Sequence, residues 1–539
     1  MRFLPLIVAA ALSACTADTP PTTPAASVPL RLTDVSSEAG LGDFRHVNGA
    51  EGNTWFPETM GAGGGFVDLD GDGHLDIVLV RGAAFDEAPE GSALHVYRNQ
   101  GDGTFQRDPD AEPQGLAGYG FGIAAGDVDN DGDQDLIYTA LGADAVLLND
   151  GGRLRPADAG IAHDEGWSTA AAFFDADGDG WLDLYVARYV AWRPETDIYC
   201  SQDGENKGYC TPELYPGTPG HFYRNRGDGT FDDRTEASGF GGAAGKTLGV
   251  LVMDHNRDGF PDVMLANDTE PDELYLNRGD GTFEEIGVIS GIAFDERGRA
   301  RAGMGVEAGV VDETGEETVF VGNFSSEMIG VYRHLGNDVF LDRAAASRIG
   351  QPSLLTLTFG LVLADLDLDG RLDLFAANGH VQPHITAVKE NVHFRQAPHV
   401  FVNEGGGTFR DVGFPVEGGW LARAAAWGDF DGDGDADLLV TENDGPAHLL
   451  RNDTGGGAGL TVVLDGPKLG SAVTVWSRGA AQQRFIRSGG SYLSQSQLDP
   501  LFGLGDADAA DSVVVRWPGG RVTRTGSTPA GRVALSPEG

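Results

Sequence analysis

The chain has 539 residues, too many for one small domain, and its 81 glycines and many short apolar runs favour a turn-rich β protein over a helical one. Its formal net charge of −45 argues against nucleic acid as a partner, because phosphate binding needs a basic surface. A charge of that size is either solvated or neutralised by cations.

In chain order, MRFLPLIVAAALSACTADTP comes first. Arg2, the apolar stretch Phe3 to Leu12 and the small residues before Cys15 predict an export signal over residues 1–14, too short to span a bilayer. Leu12-Ser13-Ala14-Cys15 resembles the lipobox of bacterial lipoproteins, which implies a lipid on Cys15 and a flexible tether over residues 15–29. The expected location is therefore the bacterial cell envelope, at the outer membrane or cell surface, with the lipid as the sole membrane contact. With Cys15 lipidated, Cys200 and Cys210 remain as a pair in a Pro/Gly-rich insert, and a disulfide staple is expected.

From residue 66 the chain repeats itself. FVDLDGDGHLDIVLV recurs as GDVDNDGDQDLIYT, FDADGDGWLDLYVA, MDHNRDGFPDVMLA, ADLDLDGRLDLFAA and GDFDGDGDADLLVT. A second phrase follows most copies, as in VYRNQGDGTFQRD, FYRNRGDGTFDDR and LYLNRGDGTFEEI. Each unit reads as four short strands joined by an Asp-rich turn, a loop and a GDGTF hairpin, which is the blade of a β-propeller. A seventh, degraded unit is GVVDETGEETVFVGNF, where Val310, Thr314 and Thr318 replace the first, third and last aspartates. The last unit lacks its fourth strand, and LRLTDVSSEAGL at 30–41 resembles the missing piece. The fold expected is all-β: a seven-bladed propeller over 30–453 whose N-terminal strand closes the ring, and a small C-terminal β domain over 458–539.

The aspartates imitate the front half of an EF-hand loop, with carboxylates at positions 1, 3 and 5 and Gly at 6, but position 12 is apolar and the flanks are strands. A further Asp stands at position 9. Four carboxylates and the carbonyl of residue 7 provide hard oxygens suited to Ca²⁺. The predicted ligand sets, each with the backbone of its seventh residue, are Asp68, Asp70, Asp72 and Asp76 with His74; Asp127, Asp129, Asp131 and Asp135 with Asp133; and Asp175, Asp177, Asp179 and Asp183 with Trp181. The others are Asp254, Asn256, Asp258 and Asp262 with Phe260; Asp365, Asp367, Asp369 and Asp373 with Arg371; and Asp429, Asp431, Asp433 and Asp437 with Asp435. About six structural Ca²⁺ would move the formal charge from −45 to about −33.

These units resemble FG-GAP/VCBS repeats. In the tail, SYLSQS, FGLG and VRWPGG resemble the ASPIC/UnbV domain that closes the cartilage acidic protein family and its bacterial relatives. ETMGAGG, LANDTEPDELYLN, GMGVEAG and AANGH also match phrases of that family. The resemblance implies an extracellular calcium-binding propeller with a binding or adhesion role and no firmly attached reaction. The tail, with eight Lys/Arg against six Asp/Glu from Ala458 onward, is expected to dock on the acidic propeller.

The strand after each metal loop is about five residues long, so its far end lies on the opposite face. Glu58, Asn267, Asp268, Asn323, Asn378, His380 and Arg423 fall there, and they form the candidate ligand face for an extracellular or envelope protein or glycan. The alternative is an extracellular propeller enzyme acting on a polysaccharide or small molecule at that face, for which these residues offer scattered acid and base candidates. No catalytic residue is assigned.

Overall fold

Apolar runs such as DIVLV and DLIYTAL, cut by Asp- and Gly-rich turns, fold as antiparallel strands. The computed structural model describes residues 29–538 except 84, 86–91, 162–165, 202–203 and 243. The segments expected as export signal and tether, with Cys15, lie outside the described residues, apart from Pro29.

Seven sheets follow one another, six of four strands and the first of five because Ser494–Gln495 joins it, their propeller strands opening with Gly64–Val67, Tyr119–Gly126, Ser168–Phe174, Thr247–Met253, Gly303–Val310, Thr358–Ala364 and Ala422–Gly428. These opening strands neighbour one another in turn, and the seventh meets the first, so the sheets stand as blades around an axis. Each apolar strand is sandwiched between two blades, which is why Ile77–Val80 is buried on both sides and reads as a continuous apolar run. The degraded unit keeps its blade: Gly303–Val310 pairs with Glu317–Asn323 like its counterparts.

Ring closure uses the two ends of the propeller. Leu32–Asp34 runs antiparallel to Leu450–Asn452 and supplies the outer strand of the seventh blade. The chain ends are thereby tied together and an edge is covered.

Beyond the propeller, Gly459–Leu464 pairs with Leu501–Gly503 and, in parallel, with Gly531–Leu535. A second sheet orders Ala480–Phe485, Ala472–Ser477, Ser512–Arg516 and Val522–Arg524. Val462, Val473, Phe502, Val515 and Trp517 form the core of this domain, which runs without a break into the second and third blades.

Between its strands the domain sends Ser488–Gln497 into the propeller axis. Ser491 exchanges both backbone hydrogen bonds with Val306 of the fifth blade, each 2.8 Å. Ser494–Gln495 pairs in parallel with Gly64–Gly65, the Gln495 side chain accepts from the Ala125 N–H at 2.9 Å, and the Trp427 N–H donates to Ser496 Oγ at 3.2 Å. Glycine in the inner strands makes room: a Cβ on Gly65 would lie 2.2 Å from the Gln495 carbonyl, and one on Gly305 would lie 2.1 Å from the Phe359 carbonyl. At the far end the ring of Tyr492 is buried beside Phe359, and its hydroxyl donates to the Met60 carbonyl at 3.1 Å.

The opposite mouth is covered by the insert of the third blade. Cys200 and Cys210 are joined by a disulfide, with Cα atoms 5.3 Å apart. Lys207 Nζ donates to the Asn53 carbonyl at 2.6 Å, Tyr209 Oη to Glu58 Oε2 at 2.9 Å, and Gln382 Nε2 to the Tyr209 carbonyl at 3.0 Å, so the insert reaches from the third blade to the first and sixth. A disulfide closing a loop this short constrains the unfolded insert by roughly 3 kcal/mol. Replacing both cysteines by serine is expected to raise proteolytic nicking between residues 190 and 216 and to leave the global unfolding midpoint nearly unchanged, as limited proteolysis beside calorimetry would read.

Candidate metal centres

Each acidic loop is shaped by its own first aspartate. Asp68 Oδ2 accepts the Gly73 N–H at 3.0 Å, and the equivalent bonds run from Gly132 to Asp127, Gly180 to Asp175, Gly259 to Asp254 and Gly370 to Asp365 at 2.9–3.1 Å. The sixth-position glycine takes a left-handed φ in every loop, +87° at Gly73 and +100° at Gly132, which the sharp turn requires.

The ninth-position aspartate does more than face the loop. Asp135 Oδ2 accepts the Val128 N–H at 2.9 Å and Oδ1 accepts the Asn149 N–H at 2.8 Å. The Asn149 side-chain amide donates to the Gln134 carbonyl of its own blade and to the Leu69 carbonyl of the preceding blade. Asn99, Asn225, Asn277, Asn403 and Asn452 repeat this bridge, with Asn99 reaching the Phe430 carbonyl and so crossing the point of ring closure. These asparagines latch blade to blade, a role the sequence reading did not assign. Their signal was visible: Asn stands at or near the end of the third strand of the blade in six units, and His334 replaces it in the degraded one. Asn149→Ala leaves two buried carbonyls without donors and is expected to cost about 3 kcal/mol in urea unfolding.

Five loops bring three carboxylates together with ligand oxygens within 4.8 Å of one another: Asp68, Asp70 and Asp72; Asp127, Asp129 and Asp135; Asp175, Asp177 and Asp179; Asp365, Asp367 and Asp373; Asp429, Asp431 and Asp437. The fourth loop departs from this pattern. There the buried His255 places Nδ1 2.5 Å from Asp262 Oδ2, drawing that carboxylate aside, while Asn256 supplies only an amide. Asp258 and Phe260 keep their places in the turn.

Burial and mutual repulsion hold these carboxyls well above their usual range. Desolvation comes first, then the neighbouring charges, and together they push Asp135, Asp183 and Asp365 to about 7, and Asp127, Asp254 and Asp429 to about 6. Asp435, desolvated by burial and then crowded by Asp433, Asp431 and Asp429, rises to about 8. A bound dication reverses that logic. The test of fit is the hydrogen-bond inventory: Asp68, Asp129, Asp177, Asp254, Asp367 and Asp429 each carry a buried Oδ1 with no hydrogen-bond partner, so each of the six intact loops has at least one, and Asp435 adds a second in the last. The degraded loop leaves none, since Asp312 is paired with Arg333 at 2.8 Å. The residues present therefore fit a hard cation in an all-oxygen site.

The C-terminal domain sits on this face. Gly503 donates its N–H to Asp365 Oδ2 at 3.0 Å, and the Asp429 N–H donates to Gln497 Oε1 at 2.9 Å. Over the first three loops the domains leave a cleft of about 890 Å³, bordered by Asp68, Asp127, Asp175, Pro467, Leu469 and Pro518.

The seven residues expected to form an open ligand face are buried, between 0 and 8 % exposed. Arg423 donates to the Thr59 and Gly379 carbonyls and stacks 4.2 Å over Phe359. Asn267 and Asn378 accept from Thr247 and Thr358, Asn323 holds the Met328 carbonyl, and Asp268 accepts from Tyr189. Glu58 accepts from Trp55 and Tyr209, and His380 Nδ1 accepts from Gln382. Asn267 lies opposite Thr247 at the end of its strand pair away from the acidic loop, where Asp262 lies opposite Met253, and the insert and the axial loop cover that end of the propeller. Most of these side chains are spent on buried internal hydrogen bonds, although Asn323 Oδ1 is left without a partner.

Burial, reinforced by the Arg423 charge, keeps His46 and His380 neutral, with pKa values lowered to about 3. A histidine depressed in the folded state binds its proton only on unfolding, so its contribution is whole above pH 6.5 and is lost as pH falls below it. Each is expected to cost about 2 kcal/mol between pH 7.5 and 5. Chemical denaturation in excess calcium would show the loss, and His46→Gln would flatten the slope.

The FG-GAP-like repeat family matches residues 68–138, 127–186, 196–265, 254–309 and 392–440, more than half of the chain, and the family described as ASPIC and UnbV matches 465–536. The chain belongs to the FG-GAP-like repeat family and ends in an ASPIC and UnbV domain. Among curated relatives of this family member, mouse cartilage acidic protein 1 is 23% identical over 502 residues, covering 77% of this chain and 72% of the relative. The human protein is 23% identical over 366 residues, covering 66% of this chain but only 50% of that protein. Among solved structures, an Agrocybe aegerita lectin described as recognising non-reducing terminal N-acetylglucosamine is 19% identical at a TM-score of 0.41, covering 72% of this chain and 86% of the lectin. A Bacillus licheniformis rhamnogalacturonan lyase is 14% identical at 0.37, covering 73% and 72%. No described helix is long and apolar enough to cross a membrane.

Proposed function

We propose that this chain is a calcium-stabilised binding module, exported and tethered to the bacterial envelope through Cys15, whose partners are extracellular or envelope proteins or glycans. What carries the calcium reading is the partnerless buried carboxylate oxygen in each of the six intact loops. Membership of a repeat-propeller family and likeness to cartilage acidic protein 1 support a binding role. Asp, Asn and backbone oxygens would hold the ions, which would supply charge neutralisation and rigidity between strands. The enzymatic alternative gains no support, since Glu58, Asp268, His380 and Arg423 are spent on internal bonds and both ends of the axis are filled.

Native mass spectrometry of the purified protein is expected to show about six Ca²⁺ per chain; a chain that retains none in millimolar calcium overturns the metal reading. Envelope-protein and glycan arrays probed with and without chelator test the binding role, which falls if no ligand is retained in calcium.

A further inference from the structure

The residue just before each latch is arginine in some blades and aliphatic in others. It is Arg98, Arg224, Arg333 and Arg451 in the first, third, fifth and seventh blades, and Leu148, Leu276 and Val402 in the second, fourth and sixth. In the degraded fifth loop this arginine has become the cation. Arg333 pairs with Asp312, the one aspartate retained at a ligand position, whose side chain is 2% exposed, and Arg257 of the fourth loop donates to the Gly315 carbonyl. That loop stays folded with a guanidinium in the electrostatic role that other loops leave to a metal.

The same arginine reaches into two loops that keep all their aspartates. Arg98 Nη1 lies 2.6 Å from Asp76 Oδ2 and 3.6 Å from Asp70 Oδ2, and its other nitrogens bond Asp108 and the Gly152 carbonyl of the next blade. Arg224 Nη2 pairs with Asp177 and lies 3.1 Å from Asp179. In the seventh blade Arg451 turns instead to Asp453, at 2.9 Å. In the second loop, with Leu148 at this position, no arginine among the described residues acts on Asp127, Asp129 or Asp135.

We propose that Arg98 and Arg224 set the cation affinity of the first and third loops. Each guanidinium shares the position-three aspartate with the incoming ion, so these loops bind calcium more weakly than the second, and the arginine returns as counter-ion when calcium leaves. This rests on the calcium reading above. The physical reason is simple: a dication entering such a site is repelled by a fixed positive charge a few ångströms away and must displace it from at least one carboxylate. The protein then carries a graded set of metal sites, and the fifth loop is the end state in which the arginine has won. Arg98 and Arg224 are positioning residues for the metal, not ligands.

Equilibrium dialysis of the full-length protein against buffered calcium, with folding checked by circular dichroism, tests this. Wild type is expected to resolve at least two affinity classes. Arg224→Leu, whose guanidinium is 44% exposed and pairs with only the two aspartates, should move one weak site to the tight class, a gain of roughly tenfold. Arg98→Leu should do the same, though its bonds to the next blade make it the less clean variant. Leu148→Arg should move one tight site to the weak class. Unchanged affinities in Arg224→Leu and Leu148→Arg, with about six ions still bound, overturn the proposal and leave the calcium reading standing. Weaker binding in Arg224→Leu also overturns it. A wild type that binds no calcium removes both.

Discussion

Chelating calcium from the purified protein is expected to lower its unfolding midpoint by more than about 10 °C, and calcium, but not magnesium, is expected to restore it. An ion that binds only the folded state at a hundred times its dissociation constant contributes about 2.7 kcal/mol, so six sites together contribute on the order of 15 kcal/mol. A chain of this length has a large unfolding entropy, which converts that sum into a shift of roughly 15 °C. The reason for so large an effect is local. The loops gather buried carboxyls, Asp127 raised to about 6 and Asp135 and Asp365 to about 7 among them, and each intact loop has at least one buried carboxylate oxygen with no hydrogen-bond donor. Scanning calorimetry with and without chelator reads the result directly. An unchanged midpoint would mean that the latch asparagines and the apolar strands suffice, and that the ions, if bound, do not brace the blades.

Tyr492→Ala is expected to destabilise the protein by about 4 kcal/mol, as measured by urea unfolding. The side chain is fully buried in the cluster formed by Phe121, Trp167, Met304 and Phe359, on the far side of the axis from the domain that contributes it. Truncation opens a cavity where several blades converge and also leaves the Met60 carbonyl without its donor. Tyr492→Phe keeps the packing and loses only the hydrogen bond, so its cost is expected near 1 kcal/mol. If the axial loop is integral to the propeller, the alanine variant unfolds in one weakened transition. If it is merely inserted, the C-terminal domain detaches first, and two transitions replace one.

How much of this was legible beforehand depended on the range of the interactions involved. The blade strands, the turn chemistry of the loops, the spoiled fifth unit and the closing N-terminal strand could all be read, because each is encoded within about fifteen residues and then repeated. Repetition turned weak local signals into a register. Even the arginine positions could be read, as RN, LN, VN or RH at or near the end of each third strand, although their reach into the loops could not.

Other features depended on contacts between distant segments. SGGSYLSQSQ has neither strand nor helix periodicity, and its partners are backbone groups of inner strands contributed by five different blades. Nothing in that stretch announces that it fills an axis, since the axis exists only once the ring has closed. The misplaced ligand face has the same origin. Asn267, Asn378 and Arg423 stand at the strand ends away from the acidic loops, but their exposure was set by what else arrived there. Arg423 became buried because the Thr59 and Gly379 carbonyls, far apart in the chain, converge on one guanidinium. A repeat can encode the shape of its own blade and the oxygens of its own turn, whereas the burial of a polar side chain depends on whether the assembled fold brings it partners or leaves it to water.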